Sequence, residues 1–300
     1  MYQDSWLSLE SAKNILQTLS NQGVTEILVL SGEVHPSSAR RKDWFERIWD
    51  ICELAVSLGF FPHTNSGPLS QEEMRRLKEV NFSMGLMLEQ LTPKLLQTVH
   101  KYAPSKKPEV RLQQLELAGQ LRIPFTTGLL VGIGENKIDR IDSLKAIAKV
   151  QQQWGHIQEV ILQPHSIGSH QSYRNDNFAL EELPELIAEA RNILPESITI
   201  QIPPNLIRIP SLLLACLEAG ARDLGGISPI DEVNPDYIHL TASYIREILE
   251  PAGWSLVSRL PVYPQYYDWL SPKLQKALKA KENNSKKVDP STKTFKVKNK

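Results

Sequence analysis

The sequence predicts an α/β protein with a parallel sheet, on the plan of a (β/α)8 TIM-type barrel that lacks its first strand. Three observations lead there. Short β-rich runs alternate with helical stretches, several of those runs are continuously apolar, and seven of them can be found, one short of a complete barrel. Strands alternating with helices build parallel βαβ units. Strands covered on both faces lose the polar alternation of a half-exposed strand. The length suits the scale of the barrel, typically about 250 residues. An open doubly wound sheet is the competing architecture.

The first element, residues 7–22, reads as a helix, so the strand that normally opens a barrel is missing. TEILVL (25–30) is the first strand. A helix over 43–56 follows, with Asp43 as its cap and Trp44, Ile48, Cys52 and Ala55 on one face. GFFPHT (59–64) and VNFSMGLM (80–87) are the next strands. In 108–119, Pro108 suits the first helical turn, Val110, Leu112, Leu115 and Ala118 are apolar, and Gly119 suits the exit. PFTTGLLVG (124–132), IQEVILQ (157–163), ITIQIP (198–203) and a weaker ARDLGGIS (221–228) complete the set. Residues 1–270 thus form one barrel domain. Residues 271–300 carry ten lysines against Glu282 and Asp289 and few apolar residues, the composition of a solvated, disordered tail.

The formal net charge is zero, but this tail holds +8 of it, leaving an acidic body. An acidic body argues against a large nucleic-acid footprint. No apolar run reaches the length of a membrane span, and MYQDSWLSLE shows no signal-peptide pattern. Two cysteines, Cys52 and Cys216, exclude a disulfide scaffold and point to the cytoplasm. They are also too few for a three-cysteine iron–sulfur site.

Chemistry in such a barrel sits at the C-terminal strand ends. Polar or glycine-rich clusters recur there: Ser31-Gly32-Glu33, His63-Thr64-Asn65, Glu89, Gly132-Ile133-Gly134-Glu135, Gln163-Pro164-His165, Pro203-Pro204-Asn205 and Ser228 to Asp231. Glu33 can hold a ligand ammonium by a charge-assisted hydrogen bond; the plainer reading is a solvated glutamate at a helix start. Glu89 can accept from ribose hydroxyls or simply be solvated. GLLVGIGE (128–135) lets a ligand approach backbone N–H groups, but as a dinucleotide fingerprint it fails, because Lys137 stands where the third glycine belongs. His35, His63 and His165 each follow a strand without metal-ligand spacing, and His156 precedes its strand, at the opposite end. No residue is singled out as catalytic.

The segments FFPHTNSGPLS (60–70), NFSMGLMLEQL (81–91), IPFTTGLLVGIGE (123–135), GHIQEVILQ (155–163), IQIPPNL (200–206), GARDLGGISP (220–229) and SRLPVYPQY (258–266) resemble, in order, the radical S-adenosylmethionine (SAM) family of 7,8-didemethyl-8-hydroxy-5-deazariboflavin synthases. The resemblance implies a radical SAM barrel, SAM and a [4Fe–4S] cluster. It also implies a carbon–nitrogen lyase that closes the deazaflavin ring of a hydroxybenzyl–ribitylaminouracil adduct with loss of ammonia. A partner synthase subunit would supply the adduct and an external donor the electron. By the same resemblance Gly32 and Glu33 hold the SAM amino group and Glu89 contacts its ribose. Gly128, Gly132, Gly134 and Glu135 lie near its adenine, with Leu130 replacing an isoleucine. His63, Thr64, Asn65, Gln163, Asn205, Ser228 and Asp231 are the candidates for lining the substrate pocket. The C-x-x-x-C-x-x-C cluster motif is absent, so the first strand and the cluster loop are expected outside this sequence. QPHSIGSHQSY (163–173) also departs from the family pattern. The alternative is a non-catalytic or cluster-free barrel that binds SAM or the partner subunit.

Overall fold

The computed structural model describes residues 6–20, 24–165, 178–203, 209–227, 240–285 and 294–299. The chain opens with a helix, α1 (Leu9–Ser20), followed by β1 (Glu26–Leu30), α2 (Arg41–Ser57), β2 (Phe61–Asn65), α3 (Gln71–Lys78) and β3 (Ser83–Gly85). Next come α4 (Pro108–Gln120), β4 (Phe125–Val131), α5 (Lys137–Trp154), β5 (Ile157–Pro164), α6 (Leu183–Ile193) and β6 (Thr199–Gln201). The last are α7 (Pro210–Glu218), β7 (Asp223–Gly226), α8 (Ala242–Leu249), β8 (Trp254–Ser258), α9 (Pro272–Ser285) and β9 (Thr294–Asn299). The strands form one sheet in the order β1-β2-β3-β4-β5-β6-β7-β9-β8. β1 to β7 are parallel neighbours in chain order, whereas β9 is antiparallel to both β7 and β8.

All seven expected strands are present, each close to its expected place. The sheet is not closed among the described residues: β1 pairs only with β2. Its Leu28 and Leu30 are consequently 53% and 46% exposed, unusual for leucines in a parallel strand.

Local signals fix the helices. Ser70 with Glu73 and Asn136 with Asp139 form capping boxes that start α3 and α5. Gly155, at φ +68°, ends α5 in the left-handed conformation glycine adopts without strain. Two expectations are corrected. Asp43 lies within the first turn of α2, whose cap position is Arg40, so it does not cap that helix. Gly119 is inside α4, where a Cβ would stand 2.4 Å from Trp154 Cγ; it is a packing glycine between α4 and α5.

The convex face of the sheet takes most of the apolar side chains and the concave face, the lumen, most of the polar ones. On β5, Val160 and Leu162 join the main core with α5 and α6, while Glu159 meets Thr126 Oγ1 at 3.0 Å. Arg259, just past β8, crosses beneath and donates to Asp223, and pairs with Glu159. Burial raises the Glu159 carboxyl and Arg259 pulls it back, with Asp223 adding to the rise. The Arg259 guanidinium, although desolvated, is held well above its ordinary value by Asp223 and Glu159. Tyr263 and Gln158 lock the same segment to the sheet through Tyr263 N–H to Gln158 Oε1 (3.2 Å) and Gln158 Nε2 to Pro261 O (2.8 Å).

The lysine-rich tail is not simply a solvated extension. α9 buries Leu274 and Leu278 against Phe61, Phe82, Val262 and Tyr266, closing the floor of the sheet. Two leucines four apart form a stripe that a segment-wide composition averages away. Leu274→Ala should therefore cost about 2–5 kcal/mol in a urea unfolding curve. Lys279→Ala, on the exposed side of the same helix, should stay within about 0.5 kcal/mol of wild type.

Candidate functional site

The C-terminal ends of β1, β2 and β3 and the start of α4 enclose a cavity of about 350 Å³. It is lined by Leu30, Ser31, Gly32, Glu33, Asn65, Gly67, Leu86, Met87, Glu89, Lys106 and Arg111. Three of the seven cofactor candidates, Gly32, Glu33 and Glu89, converge here from two separate strand ends.

Glu33 lies against Gly67, where an added Cβ would stand 2.4 Å from its Cγ and where φ is +82°. Its Oε1 is 3.3 Å from Arg111 Nη2. Arg111 is 3% exposed and also donates to the carbonyls of Ser105 (2.8 Å) and Met87 (3.2 Å). Burial pulls its pKa down, and Glu89 and Glu33 oppose that. Across the cavity, Glu89 Oε1 meets Lys106 Nζ at 2.9 Å. Glu89 has φ +66°, a conformation costly for a residue with a Cβ. Its N–H donates to Gly128 O at 3.1 Å, so β4 holds the strained turn in place. The cavity thus presents two carboxylates and two cations, each anion beside one cation.

The glycine-rich turn does something different. Glu135 Oε1 accepts from Gly132 N–H (2.8 Å) and Arg140 Nε (2.9 Å), and its Oε2 accepts from Ile133 N–H (2.9 Å). Its carboxylate bridges the turn to Arg140, with Gly132 at φ +86° and Gly134 at φ +112°. Gly128 is a close-approach glycine, since a Cβ would stand 2.3 Å from Ile161 O. None of these four residues lines the cavity.

Of the substrate candidates, Asn65 lines the cavity and His63 lies one step below it on the same face of β2. Thr64 faces the other way. Its hydroxyl donates to Asn81 Oδ1 at 2.7 Å and contacts Cys52 Sγ at 3.3 Å, so it belongs to the helix-side packing. Strand alternation forces this, because neighbours of a lumen residue cannot also face the lumen. Gln163 is the penultimate residue of β5 and pairs with Leu130. Asn205, Ser228 and Asp231 lie outside the described residues. His156 is buried just before β5, at the floor end.

Lys106 and Arg111 went unnoticed in the sequence. For Arg111 a signal was present: with Leu115 and Ala118 it occupies positions i, i+4 and i+7 of α4, a charge on the buried face. No group of three His, Cys, Asp or Glu among the described residues could hold a metal ion. Burial pushes the Cys52 thiol up to about 11 and the Cys216 thiol up to about 12.

Comparison with known proteins gives a consistent result. A family model described as the radical SAM superfamily matches residues 2–147. The chain is 63% identical over 277 residues to 7,8-didemethyl-8-hydroxy-5-deazariboflavin synthase of Trichormus variabilis, covering 92% of this chain and 82% of that one. Against the synthase of the same name from Synechocystis the identity is 58%, covering 92% and 88%. The fold is similar to that of the hydrogenase maturase HydG from Carboxydothermus hydrogenoformans (TM-score 0.61, 19% identity, 72% of this chain and 50% of that one). It is also similar to methylornithine synthase (TM-score 0.59, 17% identity, 83% and 73%).

Beside the cavity, His100 is 5% exposed and its Nε2 has no hydrogen-bond partner among the described residues. Burial, with Lys106 nearby, lowers its pKa from 6.5 to about 4. The unfolded chain therefore binds an extra proton between those values, and stability is lost as pH falls through that window. The drop in urea midpoint from pH 7 to pH 5 should be smaller in His100→Leu than in wild type. Equal drops would mean that His100 is not the source.

Proposed function

This chain belongs to the 7,8-didemethyl-8-hydroxy-5-deazariboflavin synthases, radical SAM enzymes of deazaflavin coenzyme biosynthesis, and on that footing we propose that the cavity at the ends of β1 to β3 holds SAM. The carrying observation is its paired charges. The methionyl group of SAM is a zwitterion, and the cavity offers a carboxylate and a buried guanidinium 3.3 Å apart. Glu33 takes the ammonium and Arg111 the carboxylate, so the ligand opens one ion pair and makes two. Glu89 takes the ribose hydroxyls from the position its strained backbone enforces. The turn at Gly132–Glu135 acts indirectly, through the β4 end it rigidifies. About 350 Å³ is within the usual range of small-ligand cavities.

Membership in this family implies a [4Fe–4S] cluster as well as SAM. The cysteines of this chain do not fit a cluster. Thiolates are needed, but Cys52 and Cys216 are both fully buried in the packing of α2 and α7, with thiol pKa values pushed upward. The chain's own contribution is therefore the binding and orientation of SAM and substrate.

SAM would supply the hydrogen-abstracting chemistry characteristic of radical SAM enzymes only where a reduced cluster delivers one electron to it, and neither Cys52 nor Cys216 fits as a ligand of that cluster. Leu30, Leu86 and Met87 give the cavity its apolar wall and limit water there. The polar lumen beneath accommodates the small-molecule substrate, read here as the hydroxybenzyl–ribitylaminouracil adduct. Ring closure with loss of ammonia makes the reaction a carbon–nitrogen lyase reaction. A partner synthase subunit provides the adduct and an external donor the electron. Two free cysteines suit the reducing cytoplasm.

Calorimetric titration of the purified chain with SAM tests the site. Wild type should bind, and Glu33→Gln should weaken binding about tenfold or more, the scale of a lost charge-assisted hydrogen bond. Unchanged affinity in Glu33→Gln would overturn the assignment.

A further inference from the structure

Below the cavity, one polar side chain keeps a hydrogen-bonding nitrogen that the fold does not use. β2 turns Phe61, His63 and Asn65 to the lumen, and successive residues on one face are about 6.6 Å apart. Asn65 lines the cavity. Phe61, at the other end, stacks on Phe82 with ring centroids 3.9 Å apart, within the apolar floor that α9 completes. His63 stands between them, 8% exposed.

Its ring is held from two sides. Nδ1 is 2.6 Å from Ser83 Oγ on the neighbouring strand. Two residues further along β3, Gly85 leaves room for the other edge, since a Cβ there would stand 2.7 Å from His63 Nε2. Nε2 itself has no hydrogen-bond partner among the described residues. An imidazole fixed on two edges, with a ring nitrogen still able to bond, is a preformed hydrogen-bonding point for a ligand. Burial lowers its pKa, with Glu26 opposing and Arg259 adding, so the ring is neutral near pH 7.

Resting on the reading above, we propose that His63 is a positioning residue that receives the aromatic hydroxyl of the deazaflavin and of its hydroxybenzyl precursor through Nε2. The charged groups of the cavity, Glu33, Glu89, Lys106 and Arg111, lie above this level and suit a charged ligand. Across the strands His63 is flanked by Leu28 and Ser83, above the stacked rings of Phe61 and Phe82, and Glu26 and Arg259 also act on it. A wall that is aromatic below and polar at one nitrogen suits an aryl ring bearing a neutral polar group. A phenolic hydroxyl both donates and accepts, so it satisfies Nε2 in either tautomer that Ser83 selects.

The test is a fluorescence titration of the purified chain with 7,8-didemethyl-8-hydroxy-5-deazariboflavin and with its analogue lacking the 8-hydroxyl. Wild type should prefer the hydroxylated compound by about tenfold or more. His63→Leu should bind the two alike, and His63→Gln should recover part of the preference. Ser83→Ala, which frees the ring without removing it, should narrow the preference and stands in if His63→Leu does not fold. A preference retained in His63→Leu, or absent from wild type, overturns the proposal. A wild-type chain that binds SAM but neither deazaflavin overturns it while leaving the SAM site standing; a chain that binds none of the three overturns both readings.

Discussion

Strand alternation under a one-sided cover is the constraint on which this molecule rests. A parallel strand sends successive side chains to opposite faces, and here the helices cover only the convex one. The apolar half of each strand goes there, as Val160 and Leu162 do on β5. Whatever remains is committed to the lumen: His63, Thr126, Glu159, Thr199, Gln201 and Asp223. A lumen of this kind is not an oil-filled core, and its charges need partners. Arg259 supplies one to Asp223 and Glu159 together, from a segment that crosses the floor after β8. Removing one partner of such a group is far more damaging than never having built it.

The same constraint produces the site. Because the lumen faces of β1 to β3 end together, residues 33, 65 and 89 meet although they are scattered along the chain. Their precise placing then depends on features off the strands. Gly67 makes space for Glu33, Arg111 reaches it from α4, and Gly128 O fixes the backbone that carries Glu89. Backbone strain at Glu89 persists because this surrounding bonding determines it, a pattern characteristic of functional positions. The turn at Gly132–Glu135 is held by the Glu135 carboxylate on its own N–H groups and on Arg140.

The fold was legible because its signals are local and repeated. Seven β-rich runs separated by helical patterns gave a parallel α/β sheet, with an open doubly wound sheet as the competing order, and the α1 helix that precedes the first of them is present. Glu33 and Glu89 were legible as acids just past strands. Less visible were effects that depend on which neighbour arrives. Thr64 sits in the same polar cluster as His63 and Asn65, yet its hydroxyl serves Asn81 and Cys52. Glu135 is legible as an acid in a glycine-rich turn, but not that its oxygens accept from the N–H groups of that same turn. The tail reads as solvated because ten lysines outweigh Leu274 and Leu278.

The sequence alone determined the alternation of elements, the apolar face of each helix and the acids carried past the strand ends, because these follow from periodicity and from residue type. Tertiary structure decided which polar groups would meet. The Glu33–Arg111 pair spans 78 positions and the Gln158–Tyr263 bond spans 105. Such contacts arise from the way the sheet stacks distant segments, and nothing in the local chain encodes the partner. Charge compensation inside a low-dielectric lumen is a property of the assembled sheet, and so is the fixed orientation of the His63 ring.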